Sequence, residues 1–176
     1  MTLSKPQRGV ALGAGAAAAI TAICLTFAAL HPASDSLTLE ARLHFFALGG
    51  LGPALALMIC IGRLANHRFR TPEDLDGSGL TVGSPRAKVL QALLQNTLEQ
   101  LALAGLVYLA CAMLGSARVA SAIPVASALF LLGRVLFFWG YSRGAPGRAL
   151  GFGLTFYPTV VLLVGALIAA VRSAGS

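Results

Sequence analysis

Charge is scarce in this sequence, and acidic charge is scarcest. Six Asp and Glu stand against 13 Lys and Arg in 176 residues, so that 11% of the chain is charged, where soluble domains carry about 25%. Together with 57% hydrophobic residues and a mean hydropathy of +0.80, this shortage excludes an ordinary water-soluble globule. Cysteine is also sparse. Cys24, Cys60 and Cys111 fall in three different apolar stretches, with no CxxC spacing and no neighbouring His. A thiolate metal site needs such spacing, so no metal is expected and the three read as small buried hydrophobes. His31, His44 and His67 are scattered at span ends or in loops. No internal repeat, low-complexity tail or separate soluble domain is visible.

What the chain has in abundance is long apolar runs. A helix needs about 20 apolar residues to cross a hydrocarbon core of about 30 Å, and five such runs occur, at residues 10–30, 44–62, 88–114, 119–141 and 151–171. The expected fold is therefore all-α, an integral membrane helical bundle. The first run follows Lys5 and Arg8 and precedes Ala33 and Ser34 in the manner of a secretory signal. It is longer than a signal core of about 7 to 15 residues, which reads as a retained helix. Among the connections only residues 63–87 are long, and their Gly, Pro, Asp and Ser clusters mark a solvated loop.

The basic residues set an orientation. With the amino terminus in the cytoplasm, Lys5, Arg8, Arg63, Arg68, Arg70, Arg86, Lys88, Arg134, Arg143 and Arg148 lie inside, and Arg42, Arg118 and Arg172 outside. That asymmetry follows the positive-inside rule and accounts for the net charge of +7 without nucleic acid, whose binding needs basic residues gathered on one face. The Ala-, Gly- and Arg-rich composition and the lack of eukaryotic retention signals point to a bacterial inner membrane.

The third run departs from its surroundings. "LLQNTLEQLALAG", residues 93–105, carries Gln95, Asn96, Glu99 and Gln100 within six positions. At about 100° per residue, Lys88, Gln91, Gln95, Asn96, Glu99 and Gln100 share one half of the helix. Leu90, Leu93, Leu94, Leu98 and Leu101 take the other. A carboxylate inside a span costs about 2.5 to 3.5 kcal/mol and nearly always faces a partner or a wet cavity. On the fourth run Arg134, Phe137, Phe138 and Tyr141 have i, i+3, i+4, i+7 spacing and share a face. Arg143 and Arg148 follow in an expected turn containing Gly144, Pro146 and Gly147. Arg134 is thus the expected counterion of Glu99, and the surplus arginines fit an acidic ligand, since guanidinium forks match carboxylates. The spacing leaves a second reading open, in which these polar residues join helices and the arginines merely obey topology.

These residues also carry a family resemblance. "LLQNTLEQ", followed by "RVLFFWGYSRGAPGRALGFGLTFYPT" at residues 134–159, resembles the MAPEG family of membrane-associated proteins in eicosanoid and glutathione metabolism. The specific part is Asn-x-x-Glu on one helix with Arg-x5-Gly-Tyr-x-Arg-x4-Arg at the end of the next. The resemblance implies a four-helix domain at residues 44–176, with residues 1–43 an additional transmembrane helix and loop. It implies a homotrimer that places glutathione, as cosubstrate, between neighbouring subunits near the cytoplasmic face. Asn96 and Glu99 match the amide and carboxylate holding the tripeptide. Arg134, Tyr141 and Arg143 match residues around it, and Arg148 matches an arginine that stabilises the thiolate. The chain departs from the mammalian pattern at Ala92, where Arg is common, and at Gln100 and Phe137, where Tyr occurs; Lys88 lies one turn before Ala92.

The implied function is a membrane-embedded glutathione-dependent transferase, or peroxidase, acting on a hydrophobic electrophile from the bilayer. The alternative is a non-catalytic scaffold or lipid-binding protein on the same fold. The small residues of "GAGAAAAITA", residues 13–22, and "GGLG", residues 49–52, fit close helix contacts of the kind found between membrane subunits.

Overall fold

The computed structural model describes residues 3–77 and 79–175. Among the described residues six α-helices succeed one another: α1 (Lys5–Leu30), α2 (Leu39–Arg70), α3 (Pro85–Leu114), the short α4 (Ala117–Ser121), α5 (Ile123–Gly140) and α6 (Gly144–Ala174). No strand is present among the described residues. Hydroxyl side chains of Ser4, Thr38, Ser84 and Ser116 cap the starts of α1 to α4, each satisfying a backbone N–H that has no partner within its helix.

Three of the long helices, α1, α2 and α3, are individually long and apolar enough to cross a membrane, and so is the helical stretch Ala117–Ala174. That last stretch is not one rod. It reverses at a 3-10 turn, Tyr141–Arg143, and at Gly144, whose φ of 74° lies in the left-handed region that glycine adopts without strain. α5 and α6 then pack along each other, so the fourth and fifth apolar runs fall on two packed helices.

The helices exceed the apolar runs most at two places. α2 continues through Arg63 to Arg70, because its basic last turn, His67, Arg68 and Arg70, complements the carbonyl end of the helix. The expected 63–87 loop shrinks accordingly. α6 begins at Gly144, so the expected turn with Gly144, Pro146 and Gly147 is helix. Proline is tolerated there because first-turn N–H groups have no intrahelical acceptor.

Glycine sets the α5–α6 spacing. A methyl group on Gly140 would strike the Gly147 carbonyl, one on Gly151 the Phe137 backbone, and one on Gly133 would lie 2.6 Å from Thr155 Oγ1. On α1 the small residues Gly9, Gly13 and Ala17 meet Pro146, Ala149 and Gly153 of α6. On α2, Gly49 abuts Ile123 and Tyr108, and Gly52 abuts Ser127. Gly13, Ala17, Gly49 and Gly52 are thus used within the chain, while Gly15, Ala16, Ala18, Ala19 and Gly50 remain exposed. Side chains including Tyr108, Ile123 and Phe130 form the buried core among α2, α3, α5 and α6. Leu51, Met58, Leu106, Val135 and Val171 remain more than half exposed, as lipid-facing positions require.

Opposite ends of the bundle are tied differently. At one, Arg42 on α2 donates to the carbonyls of Ala112 (3.0 Å) and Gly115 (2.7 Å), closing the C-terminus of α3. At the other, buried Asp74 accepts from Ser84 N (2.7 Å) and Ser84 Oγ (2.6 Å), and its Oδ2 lies 2.9 Å from His67 Nε2. This knot fastens the end of α2 to the start of α3. The Ser84 hydrogen bonds, side chain then backbone, hold the Asp74 carboxyl below its ordinary pKa despite burial, with His67 adding to the effect.

Candidate functional site

Arg134 is the largest fully buried side chain, at 0% exposure. It faces inward because Gly133 lets α6 approach closely enough for Thr155 to reach the guanidinium. Arg134 Nε and Nη2 donate to Thr155 Oγ1 at 3.1 and 2.8 Å, and Nη1 donates to Asn96 Oδ1 at 2.8 Å. Thr155 Oγ1 in turn donates to the Gly151 carbonyl at 2.9 Å. The rings of Phe137 and Phe130 lie 4.5 and 5.7 Å from the guanidinium carbon, adding cation–π attraction. The cation is well hydrogen-bonded, but its charge is not neutralised.

The expected Arg134–Glu99 ion pair does not form. Glu99 lies on the exposed edge of α3, where its Oε1 accepts from Gln95 Nε2 at 3.0 Å. Asn96, nearer the buried side, takes the arginine instead. The polar half of α3 is therefore split. Gln95 and Glu99 point outward, Asn96 points toward α5, and Gln100 lies buried with Leu90, Leu93 and Thr97, its Oε1 lacking a hydrogen-bond partner. A helical wheel groups residues by azimuth, and neighbouring helices divide that arc.

Above the Arg134–Asn96 bond opens a cleft of about 370 Å³ lined by Ala92, Asn96, Phe137, Tyr141, Arg148 and Phe152. Three polar residues expected at the site, Asn96, Tyr141 and Arg148, thus line one hollow. Arg148 stands on the second turn of α6 with its guanidinium carbon 4.7 Å from the Tyr141 ring centre. Tyr141 is braced edge-on against Phe137 at 5.5 Å. Arg143 is not part of this lining; it stacks on Trp139 at 4.2 Å. None of the lining residues is acidic.

Ala92 also borders a second hollow of about 370 Å³, with Arg68, Lys88, Gln91 and Gln95 among its walls. Arg68 Nη2 donates to Gln91 Oε1 at 3.2 Å there. Thr155, Phe152 and the Asp74–His67–Ser84 knot were not expected from sequence. Thr155 becomes visible only once the α5–α6 register is known, and Asp74 resembles any loop acid until the loop folds over it.

The MAPEG family model matches residues 42–168. The chain belongs to the MAPEG family. An uncharacterized protein from the bacterium Synechocystis is 36% identical over 117 residues, covering 65% of this chain and 77% of its own. The family match begins inside α2, which leaves α1 outside it. With its long apolar helices, membership makes this MAPEG protein an integral, multi-pass membrane protein of all-α architecture, from a family whose members generally use glutathione.

Proposed function

We propose that this MAPEG protein is a glutathione-dependent transferase acting on hydrophobic electrophiles supplied by the bilayer. It would work as a homotrimer in a bacterial inner membrane, with the basic end of the bundle in the cytoplasm. The observation that carries the reading is one cleft, lined by Asn96, Tyr141 and Arg148 and backed by buried Arg134, with no acid in its walls. Positive charge that is removed from water and lacks an internal acid is costly. An anionic ligand in the cleft offsets that cost, and glutathione brings two carboxylates and an ionisable thiol.

The residues then take distinct roles. Arg134 fixes the Asn96 amide and gives the cleft its positive floor. Asn96 orients the tripeptide, and Tyr141 supplies a hydroxyl while bracing Arg148. Arg148, near the positive end of α6, favours thiolate over thiol, and the thiolate is the nucleophile. Its sulfur forms a bond to the electrophilic carbon as the leaving group departs, the thiol proton having gone to water. The same thiolate displaces alkoxide from a hydroperoxide, so either reaction depends on Arg148. Glu99, on the outward edge, receives the ligand ammonium from the side a neighbouring subunit closes. Arg143 contributes positive field at the mouth rather than direct contact. The cleft is at the small end of ligand pockets, about 300 to 1,000 Å³, and the Lys88 hollow beyond Ala92 gives an extended tripeptide further room.

Arg148→Ala is expected to lower glutathione-conjugating turnover about 100-fold, the order seen when one donor aimed at developing negative charge is removed, while glutathione binding changes little. Single-turnover kinetics beside equilibrium titration separates the two, and unchanged turnover removes Arg148 from the mechanism. Ala92, Phe137 and Phe152 in the cleft wall favour a second reading, a non-catalytic lipid-binding or scaffold protein. Failure of the purified protein to bind glutathione at millimolar concentration would establish that reading over the first.

A further inference from the structure

A different groove runs on the far side of Tyr141. At the basic end of the bundle, Arg63 of α2 and Arg86 of α3 stand over a hollow of about 530 Å³ floored by Val89, Leu90, Leu93 and Phe138. Arg63 and Phe138 also border a second hollow of about 380 Å³, which continues between α2 and α5 past Ile59 and Val135 to Ala56 and Leu131. From Arg63 to Ala56, and likewise from Phe138 to Leu131, is seven residues of helix, or about 10 Å along the bundle. The two hollows therefore form one track, cationic at its end and lined along its depth mainly by apolar side chains, with the hydrogen-bonded Arg134 also in its wall. Trp139, 66% exposed, borders it near the cationic end, where membrane proteins place aromatic rings at the lipid–water boundary.

Arg42, Arg134, Arg143 and Arg148 have partners within the chain. Arg63 and Arg86 are exposed, and neither meets a carboxylate among the described residues. Two guanidinium groups above an apolar channel parallel to the helices match an amphiphile with an anionic head and a hydrocarbon tail. We propose that this groove binds an anionic phospholipid of the surrounding leaflet, its phosphate held by Arg63 and Arg86 and one acyl chain lying along the α2–α5 seam. A phosphodiester presents two non-bridging oxygens to the two forks, and a zwitterionic lipid sets its own cation against the same arginines. The lipid is distinct from any cosubstrate in the Asn96–Arg148 cleft but touches the same Tyr141 wall.

The test uses the full-length protein in nanodiscs of equimolar phosphatidylglycerol and phosphatidylcholine. It is then extracted into mild detergent, and co-purifying lipid is quantified by mass spectrometry. Each basic residue near an anionic membrane surface is worth about 1 kcal/mol, so two arginines should enrich phosphatidylglycerol by about 30-fold. Arg63→Gln/Arg86→Gln should abolish the enrichment, while Arg8→Gln/Arg70→Gln, which removes equal charge from the same end outside the groove, should preserve it. Val135→Trp, at a half-exposed position, should fill the tail channel and reduce retention with both arginines intact. Equal retention of the two lipids, or equal losses in the two charge variants, would overturn the proposal. So would displacement of phosphatidylglycerol by equimolar oleate, which would make the occupant a lipophilic carboxylate.

Discussion

Arg134 shows how much one side chain arranges. A buried cation without an acid is tolerated here because Asn96, Thr155 and two aromatic faces surround it. Arg134→Ala removes three charge-assisted hydrogen bonds and leaves a void. Breaking a buried charged contact costs about 3 to 5 kcal/mol, and a lower midpoint in detergent thermal unfolding is the expected result. Arg134→Lys should recover part of the stability but not the Asn96 geometry, because an ammonium group lacks the planar fork that spans Asn96 and Thr155. The two variants should therefore differ in stability and agree in loss of glutathione binding. Recovery of binding by the lysine variant would show that charge alone suffices. The sequence showed that Arg134 needed partners, but not which ones. Glu99 has the better charge and Asn96 the better azimuth, and helix packing decided for Asn96.

At the level of elements, the α2–α3 connection is held by a group that titrates. Ser84, and then His67, keep the Asp74 carboxyl below its usual value. Folding with a lowered carboxyl pKa means the ionised form is favoured in the native state. The stabilisation is thus complete above the unfolded value of about 3.9 and disappears as pH falls through the lower native value. Protease protection of residues 71–77 should be flat from about pH 7 to 5 and decline below about pH 4. Asp74→Asn should show reduced protection already at neutral pH, with the acid-dependent decline absent. A wild-type decline already complete above pH 5 would take the switch away from Asp74. The knot was not legible in the sequence, since it joins residues ten apart through a loop with no repeating pattern.

For the whole molecule, the long apolar helices and the collection of basic residues at one end were legible, because hydrocarbon thickness and charge asymmetry act on long averages. The helix neighbours were not, because membrane helices choose partners by close shape and hydrogen bonds rather than by hydrophobicity. Thus "GAGAAAAITA" announced intimate contact correctly, while its companion turned out to be α6 of the same chain. The glycine-lined α5–α6 seam has a consequence for biosynthesis. Arg134 finds Thr155 only when α6 is present, and an arginine alone within a span costs up to about 2.5 to 3.5 kcal/mol to insert. The two helices, joined by a three-residue turn, are therefore expected to leave the translocon as a pair. In an insertion assay, a chain ending at Arg143 should integrate α5 less completely than the full chain, and Arg134→Leu should restore it. The nascent protein thus has to hold its arginine in waiting until the last helix is made.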